Sequence, residues 1–239
     1  MLTAVQAREA VARCWGAVLD ALPDDAWERP TRCAGWTLLD LARHGAWGTS
    51  MEADALRRSR LGEPGSGLGV EPSGDRDEVL PALRSSVAAL VSELDRAAEL
   101  GDTVTIPFGA IPAPFALQVF TMEAGVHADD ALSALGTDEP FGADVVTATA
   151  VVLSAVLPAL AASVPATGTV VGLTGPTVDL RFGVADGAWQ AVDLPPTVSV
   201  RGTSDTAVLR FALGRTGADD PAVTVDDGAR AFKTWFPGP

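Results

Sequence analysis

Tyrosine is absent from this 239-residue chain, and histidine and cysteine occur twice each. There is one lysine, Lys233, against sixteen arginines, which reads as coding bias. Each scarcity excludes something. Cys14 and Cys33 are too few for a disulfide framework, so a reducing, cytoplasmic setting is expected. Basic residues number 17 against 31 acidic ones, a formal net charge of −14. Such a surface repels phosphate backbones, so no nucleic-acid partner is expected. The N-terminus, MLTAVQAREAVARC, has neither a basic start nor a long apolar core, so no signal peptide is expected. One long uncharged run does occur, residues 145–165 (VVTATAVVLSAVLPALAASVP). Pro158 interrupts it and no basic cluster flanks it, so it reads as a buried helix of a soluble domain and no membrane partner is expected.

Apolar residues make up 47% of the chain, ample for a buried core. Helical spacing dominates the first half. Val11, Cys14, Trp15, Val18 and Leu22 recur at steps of three and four within 3–22, and Cys14 falls on that apolar stripe as a packing residue. After a connection with two prolines, Thr37 reads as an N-cap with Asp40 in the capping-box position. That helix runs to about Arg60. A loop rich in Gly, Pro and Ser covers 62–77. A third helix spans 77–100, with Pro81 in its first turn and Gly101 as its stop. Residues 102–112 read as a short hairpin turning at Phe108-Gly109. A fourth helix, 113–135, ends at Gly136.

That fourth helix carries Glu123 and His127, four residues apart and therefore on one face. The other histidine, His44, shares a face of the second helix with Leu38, Leu41, Gly48 and Met51, and so points inward. A buried histidine needs a partner for at least one ring nitrogen, and either a core hydrogen bond or a metal would serve. Four helices predict a four-helix bundle, the fold in which metal sites are built from facing helices. A His, Glu, His set leaves an open fourth position on zinc, the catalytic pattern. The two cysteines are not spaced as ligands with either group. Trp36 and Trp47, near His44, are candidates to line a pocket.

The runs PTRCAGWTLLDLARH (30–44) and TMEAGVHADDALSALG (121–136) resemble the mycothiol-dependent maleylpyruvate isomerase family. The resemblance implies a DinB-like four-helix bundle over 1–138. It implies a divalent metal, usually zinc, held by His44, Glu123 and His127, with Asp130 at a trailing acidic position behind the ligands. It also implies a small α+β, sterol-carrier-like domain over 143–239. The residues agree with that: strands are expected at 168–175, 178–185, 187–194 and 197–202. A helix at 203–214 capped by Ser204 or Thr203, a strand at 222–226 and a helix at 227–235 complete an antiparallel α+β pattern. The segment FALGR (211–215) matches a Gly-Arg of that domain, which makes Arg215 the first candidate for a substrate-binding arginine, ahead of Arg201 and Arg210.

A thiol on zinc loses its proton near neutral pH and becomes the nucleophile. With no cysteine of the chain assigned to that role, the thiol would be diffusible, and the resemblance points to mycothiol. Addition to an electrophilic small molecule followed by expulsion gives cis–trans isomerisation; release of the adduct is S-transfer. Three other classes remain open at this stage. One is zinc-water hydrolysis with Asp130 or Asp40 as general base. Another is a non-catalytic binding protein with a structural metal. The third is a specialised-metabolism enzyme on the same fold.

Overall fold

A computed structural model describes the chain except residues 23, 24, 66, 68, 165–167, 238 and 239. Parts of the first connection and of the loop 62–77, and the last residue of the apolar run 145–165, therefore lie outside the described residues. The described chain forms two compact units, Met1–Glu139 and Pro140–Pro239.

The first unit is built from α1 (Ala4–Ala21), α2 (Leu38–Leu61), α3 (Arg76–Leu94) and α4 (Ala113–Ala134), with a hairpin of β1 (Thr103–Ile106) and β2 (Gly109–Pro112) between α3 and α4. Capping sets the helix starts. Thr3 and Gln6 close a box on α1, and Thr37 and Asp40 close one on α2 with both arms formed. Aspartate thus completes the second box although it is not the commoner residue there. Gly62, in the left-handed region at φ 67°, ends α2. Asp75 caps α3 and starts it one residue early, which leaves Pro81 in the second turn rather than the first. The same helix ends at Leu94, short of Gly101, because the chain tightens into i→i+3 bonding, with Arg96 N–H donating to Glu93 O at 3.0 Å. The core is a single cluster around Trp15, Leu38, Leu41, Leu56, Leu83, Leu90 and Phe120. Gly45 permits the α1–α2 contact: a Cβ there would fall 2.6 Å from the Trp15 ring.

The second unit begins with α5 (Ala143–Ala159), which takes up most of the uncharged run, with Pro158 in its last turn. No helix among the described residues is long and apolar enough to cross a membrane. There follow β3 (Val170–Thr174), β4 (Asp179–Ala185), β5 (Ala188–Ala191), β6 (Val198–Gly202), α6 (Asp205–Ala212), β7 (Val223–Val225) and α7 (Phe232–Trp235). The sheet order is β5-β4-β3-β6-β7. Asp186 and Gly187, at φ 53° and 77°, make the tight turn between β4 and β5.

The sheet is mixed rather than wholly antiparallel, because β6 pairs in parallel with β3. The chain leaves β5 and returns on the far side of β3, and Pro196 crosses Gly172 so closely that a Cβ there would meet it at 2.9 Å. Ser204 caps α6 through the Ala207 N–H. The expected helix at 227–235 divides into a 3₁₀ turn, Asp227–Ala231, and α7. Phe182, Trp189, Phe211, Phe232, Trp235 and Phe236 form a chain of ring contacts at centroid distances of 4.8–5.7 Å.

Candidate metal centre

The centre lies where α2, α4 and the loop before α2 converge. The loop is held rigidly. Thr31 N–H donates to Trp36 O at 2.9 Å, and Leu38 N–H donates to Arg29 O at 3.0 Å. Thr31 Oγ1 also bonds to the Trp36 carbonyl. Arg32 ties the loop to α4 through Ser133 Oγ at 2.7 Å, with Asp129 Oδ2 3.7 Å away. The capping box fixes the first turn of α2, and two turns later His44 faces α4. α4 is buried almost all round, and among its buried residues are Gln118, Thr121, His127, Asp129 and Asp130.

His44, Glu123 and His127 each bring a ligand atom within 4.8 Å of the others. The two imidazoles meet nearly edge to face, with centroids 4.9 Å apart. Trp36 packs on both, at 4.9 Å from His44 and stacked at 6.2 Å on His127, and Trp47 lies 5.4 Å from His44. The tryptophans expected near a pocket therefore wall the histidines. His127 Nε2 is 3.2 Å from Glu123 Oε2. Two ligands on one tetrahedral zinc, at bond lengths near 2.1 Å, sit roughly 3.3 Å apart, so this pair already has ligand spacing.

Behind His127 stands a second layer. Nδ1 is 3.3 Å from Asp130 Oδ2 but out of line for a hydrogen bond, which leaves it a buried nitrogen without one. Asp130 is wholly buried, and the Cys33 thiol donates to its Oδ2 at 3.0 Å. Cys33, His127 and Asp130 thus form a second cluster of potential ligand atoms. For Cys33 this corrects the expectation that the cysteines are not spaced as ligands with these groups: separation along the chain is no measure of distance once the loop packs on α4. Burial pulls the His127 imidazole down, but the adjoining Asp130, Cys33 and Glu123 side chains outweigh it and hold the ring well above its ordinary pKa. Two imidazoles and a carboxylate are an ordinary zinc donor set, and a carboxylate behind a ligating histidine is the usual support. The residues therefore fit a divalent metal.

A cavity of about 360 Å³ opens beside this trio, with His44, Trp47, Met51, Glu52, Phe120 and Glu123 on its walls together with Ile106, Pro107 and Phe108 of the hairpin. Sequence reasoning missed Glu52, although it lies eight residues after His44, two i+4 steps along one face. Burial, then the nearby Glu123 carboxylate, pushes its carboxyl well above the usual range, against an opposing pull from His127.

The remaining candidates have partners of their own. Asp40 is bound to Thr37 and Arg43, and Asp130 is enclosed behind His127, so neither base considered for hydrolysis faces the cavity. Arg215, in the second unit, donates to Leu213 O at 3.0 Å past the end of α6. Arg201 is paired with Asp226 at 2.8 Å, and Arg210 lies over the Phe141 ring at 5.8 Å.

Residues 8–132 match the family model of the mycothiol maleylpyruvate isomerase N-terminal domain. The chain belongs to this family. Two crystal structures of mycothiol-dependent maleylpyruvate isomerase share the fold. One, a histidine-to-alanine mutant, superposes with a TM-score of 0.69 at 19% identity, over 95% of this chain and 94% of that one. The other gives 0.65 at 21% identity with the same coverage. No curated protein matches the chain. The likeness extends through both units, so the helical region followed by a small mixed α+β unit is the family's architecture.

Proposed function

We propose that this family member is a metal-dependent enzyme, with zinc held by His44, Glu123 and His127, that uses mycothiol to attack an electrophilic small molecule. The convergence of those three side chains beside a cavity carries the reading. A bound divalent ion supplies an open coordination position at which a thiol ionises near neutral pH. The chain's own residues do the rest. Asp130, held by Cys33, orients the His127 ring so that Nε2 faces His44 and Glu123. Trp36 and Trp47 pack the imidazoles and keep water from their flanks. Glu52 presents a carboxyl to the cavity within the field of Glu123.

Isomerisation and S-transfer share this machinery and differ in whether the adduct collapses or leaves. An anionic substrate, such as the maleylpyruvate in the relatives' names, would need a fixed cation, and Arg215 is the candidate. The two cysteines, which form no disulfide, fit a reducing cytoplasm.

The test is metal content. About one zinc per chain is expected in the purified protein, and none in His127→Ala. Thiol-dependent consumption of electrophiles should disappear with the metal. Failure of the unaltered protein to take up zinc on addition would refute the reading.

A further inference from the structure

Resting on the reading of Arg215 as the cation for an anionic substrate, we infer that Lys233 completes that site: its ammonium and the Arg215 guanidinium grip one substrate carboxylate at the C-terminal end of α6. The geometry of that helix end carries the inference. Lys233 Nζ donates to the carbonyl of Ala212, the last residue of α6. Arg215 Nη1 donates to the next carbonyl, Leu213 O, at 3.0 Å. Two cations therefore end on adjacent carbonyls. Gly214 stands between those carbonyls and Arg215, in the left-handed region at φ 77°. A Cβ there would lie 3.4 Å from Lys233 Nζ, so the glycine leaves that side of the ammonium open.

The charges around Lys233 point the same way. It is the chain's single lysine and is partly buried. Burial, then the neighbouring Arg215 charge, holds its pKa well below the ordinary lysine value. The charged group that bears on it is thus a like charge. Acidic residues nearby in the chain are engaged with other groups. Asp219 and Asp227 lie 3.9 and 3.5 Å from Arg230, and Asp226 binds Arg201 and Ser199. Asp220 accepts from the Ala222 N–H. The Phe232 ring, 5.5 Å from Nζ, and the negative end of α6 offset part of the cost of holding the ammonium there. Next to Arg215, Thr216 Oγ1 is buried without a hydrogen-bond partner, a donor that a bound anion can satisfy. A carboxylate suits this set. Its two oxygens match the planar guanidinium, which sets direction, while the ammonium adds a point charge at close range. Two cations also fix the orientation of the carboxylate, where one would let it swing.

Equilibrium dialysis of the zinc-loaded protein with maleate, beside inorganic phosphate, tests this. At neutral pH, Lys233→Met should weaken maleate binding by about tenfold or more, and Arg215→Gln by at least as much. Lys233→Arg should stay within about threefold of the unaltered protein, because the charge is kept. Above about pH 8 the affinity of the unaltered protein should fall as the ammonium loses its proton, and the fall should shrink in Lys233→Arg. A lysine that only caps α6 would move neither the affinity nor its pH profile. Maleate binding that survives Lys233→Met but not Arg215→Gln overturns the role of Lys233 and leaves the reading of Arg215 standing. Binding unimpaired in Arg215→Gln, or no binding by the unaltered protein, overturns both. Phosphate held as tightly as maleate overturns the assignment to a carboxylate. Zinc content of the same samples tests the metal reading separately, since this site uses no metal ligand.

Discussion

α4 and α5 are both rich in alanine and free of lysine and arginine, yet they bury different things. α5 buries Val145, Ala148, Val152, Leu153 and Leu157, with Thr149 as its buried polar residue. α4 buries Gln118, Thr121, His127, Asp129 and Asp130 as well as its apolar residues. The contrast extends to the units they belong to. The second unit's core is a run of aromatic rings in tilted contact, and its Arg201–Asp226 and Arg181–Asp179 pairs are partly or largely exposed. The first unit carries a carboxylate and an imidazole into its interior. Buried ionisable groups cost stability unless something holds them, so their clustering on one helix marks the place where stability is conceded to chemistry. The second unit is where stability should be concentrated.

The sharpest break of that comparison is Phe182→Ala. Phe182 is fully buried and its ring lies 5.7 Å from that of Phe236. Its truncation should cost about 3–5 kcal/mol in urea unfolding, while zinc affinity changes less than twofold. A large fall in zinc affinity would show that the two units do not divide stability and chemistry in this way.

Lys233 is a discordant group in the second unit. Burial, then the Arg215 charge, lowers its pKa from 10.5 to about 8. Its Nζ donates to Ala212 O at the end of α6 and lies over the Phe232 ring. Between pH 8 and 10.5 the unfolded chain holds this proton and the folded chain does not, so stability rises with pH through that window. Below pH 8 the whole penalty is present, roughly 3.5 kcal/mol by the usual 1.4 kcal/mol per tenfold. Lys233→Met should be more stable at pH 7 and lose the rise from pH 8 to 10.5, as read by urea midpoints. The absence of tyrosine leaves the two cysteines as the other groups that ordinarily titrate in that window. A rise that persists in the variant would assign it elsewhere.

Much of this was legible in the sequence, for local reasons. The Thr37–Asp40 box and the i,i+4 spacing of Glu123 and His127 depend on residues within one or two turns, and the apolar face around His44 set its inward direction. The family resemblance rested on those same segments. What escaped was tertiary. Cys33 sits in a loop with no periodicity, and its approach to Asp130 depends on packing 97 residues away. The parallel pairing of β3 with β6 is invisible because alternation specifies a strand's faces, not its neighbours. The start of α3 was misplaced by one residue and its end by six, because competing caps decide boundaries.

Asp130→Asn gives a smaller effect. The amide cannot orient the His127 ring as the carboxylate does, so zinc affinity should fall by about 10–100-fold. The variant also takes the carboxylate away from the buried His127 ring, 3.3 Å from its Nδ1, so the metal-free protein should lose about 1–3 kcal/mol. Titration with zinc against a competing chelator, beside urea unfolding in its absence, reads both. A loss of stability with zinc affinity unchanged would make Asp130 a structural residue only.

Cys33 should give the smallest effect, and its two substitutions separate polarity from packing. Serine keeps a donor for Asp130 Oδ2 on a shorter side chain, so Cys33→Ser should change stability by less than about 1 kcal/mol and zinc affinity by severalfold at most. Valine keeps the bulk and removes the donor, leaving Asp130 without the 3.0 Å bond it now accepts. Cys33→Val should therefore cost about 1–3 kcal/mol and weaken zinc binding more than serine does, because an under-supported carboxylate no longer fixes the imidazole. If both variants behave alike, the thiol is packing against α4 and His127 is oriented by Asp130 unaided.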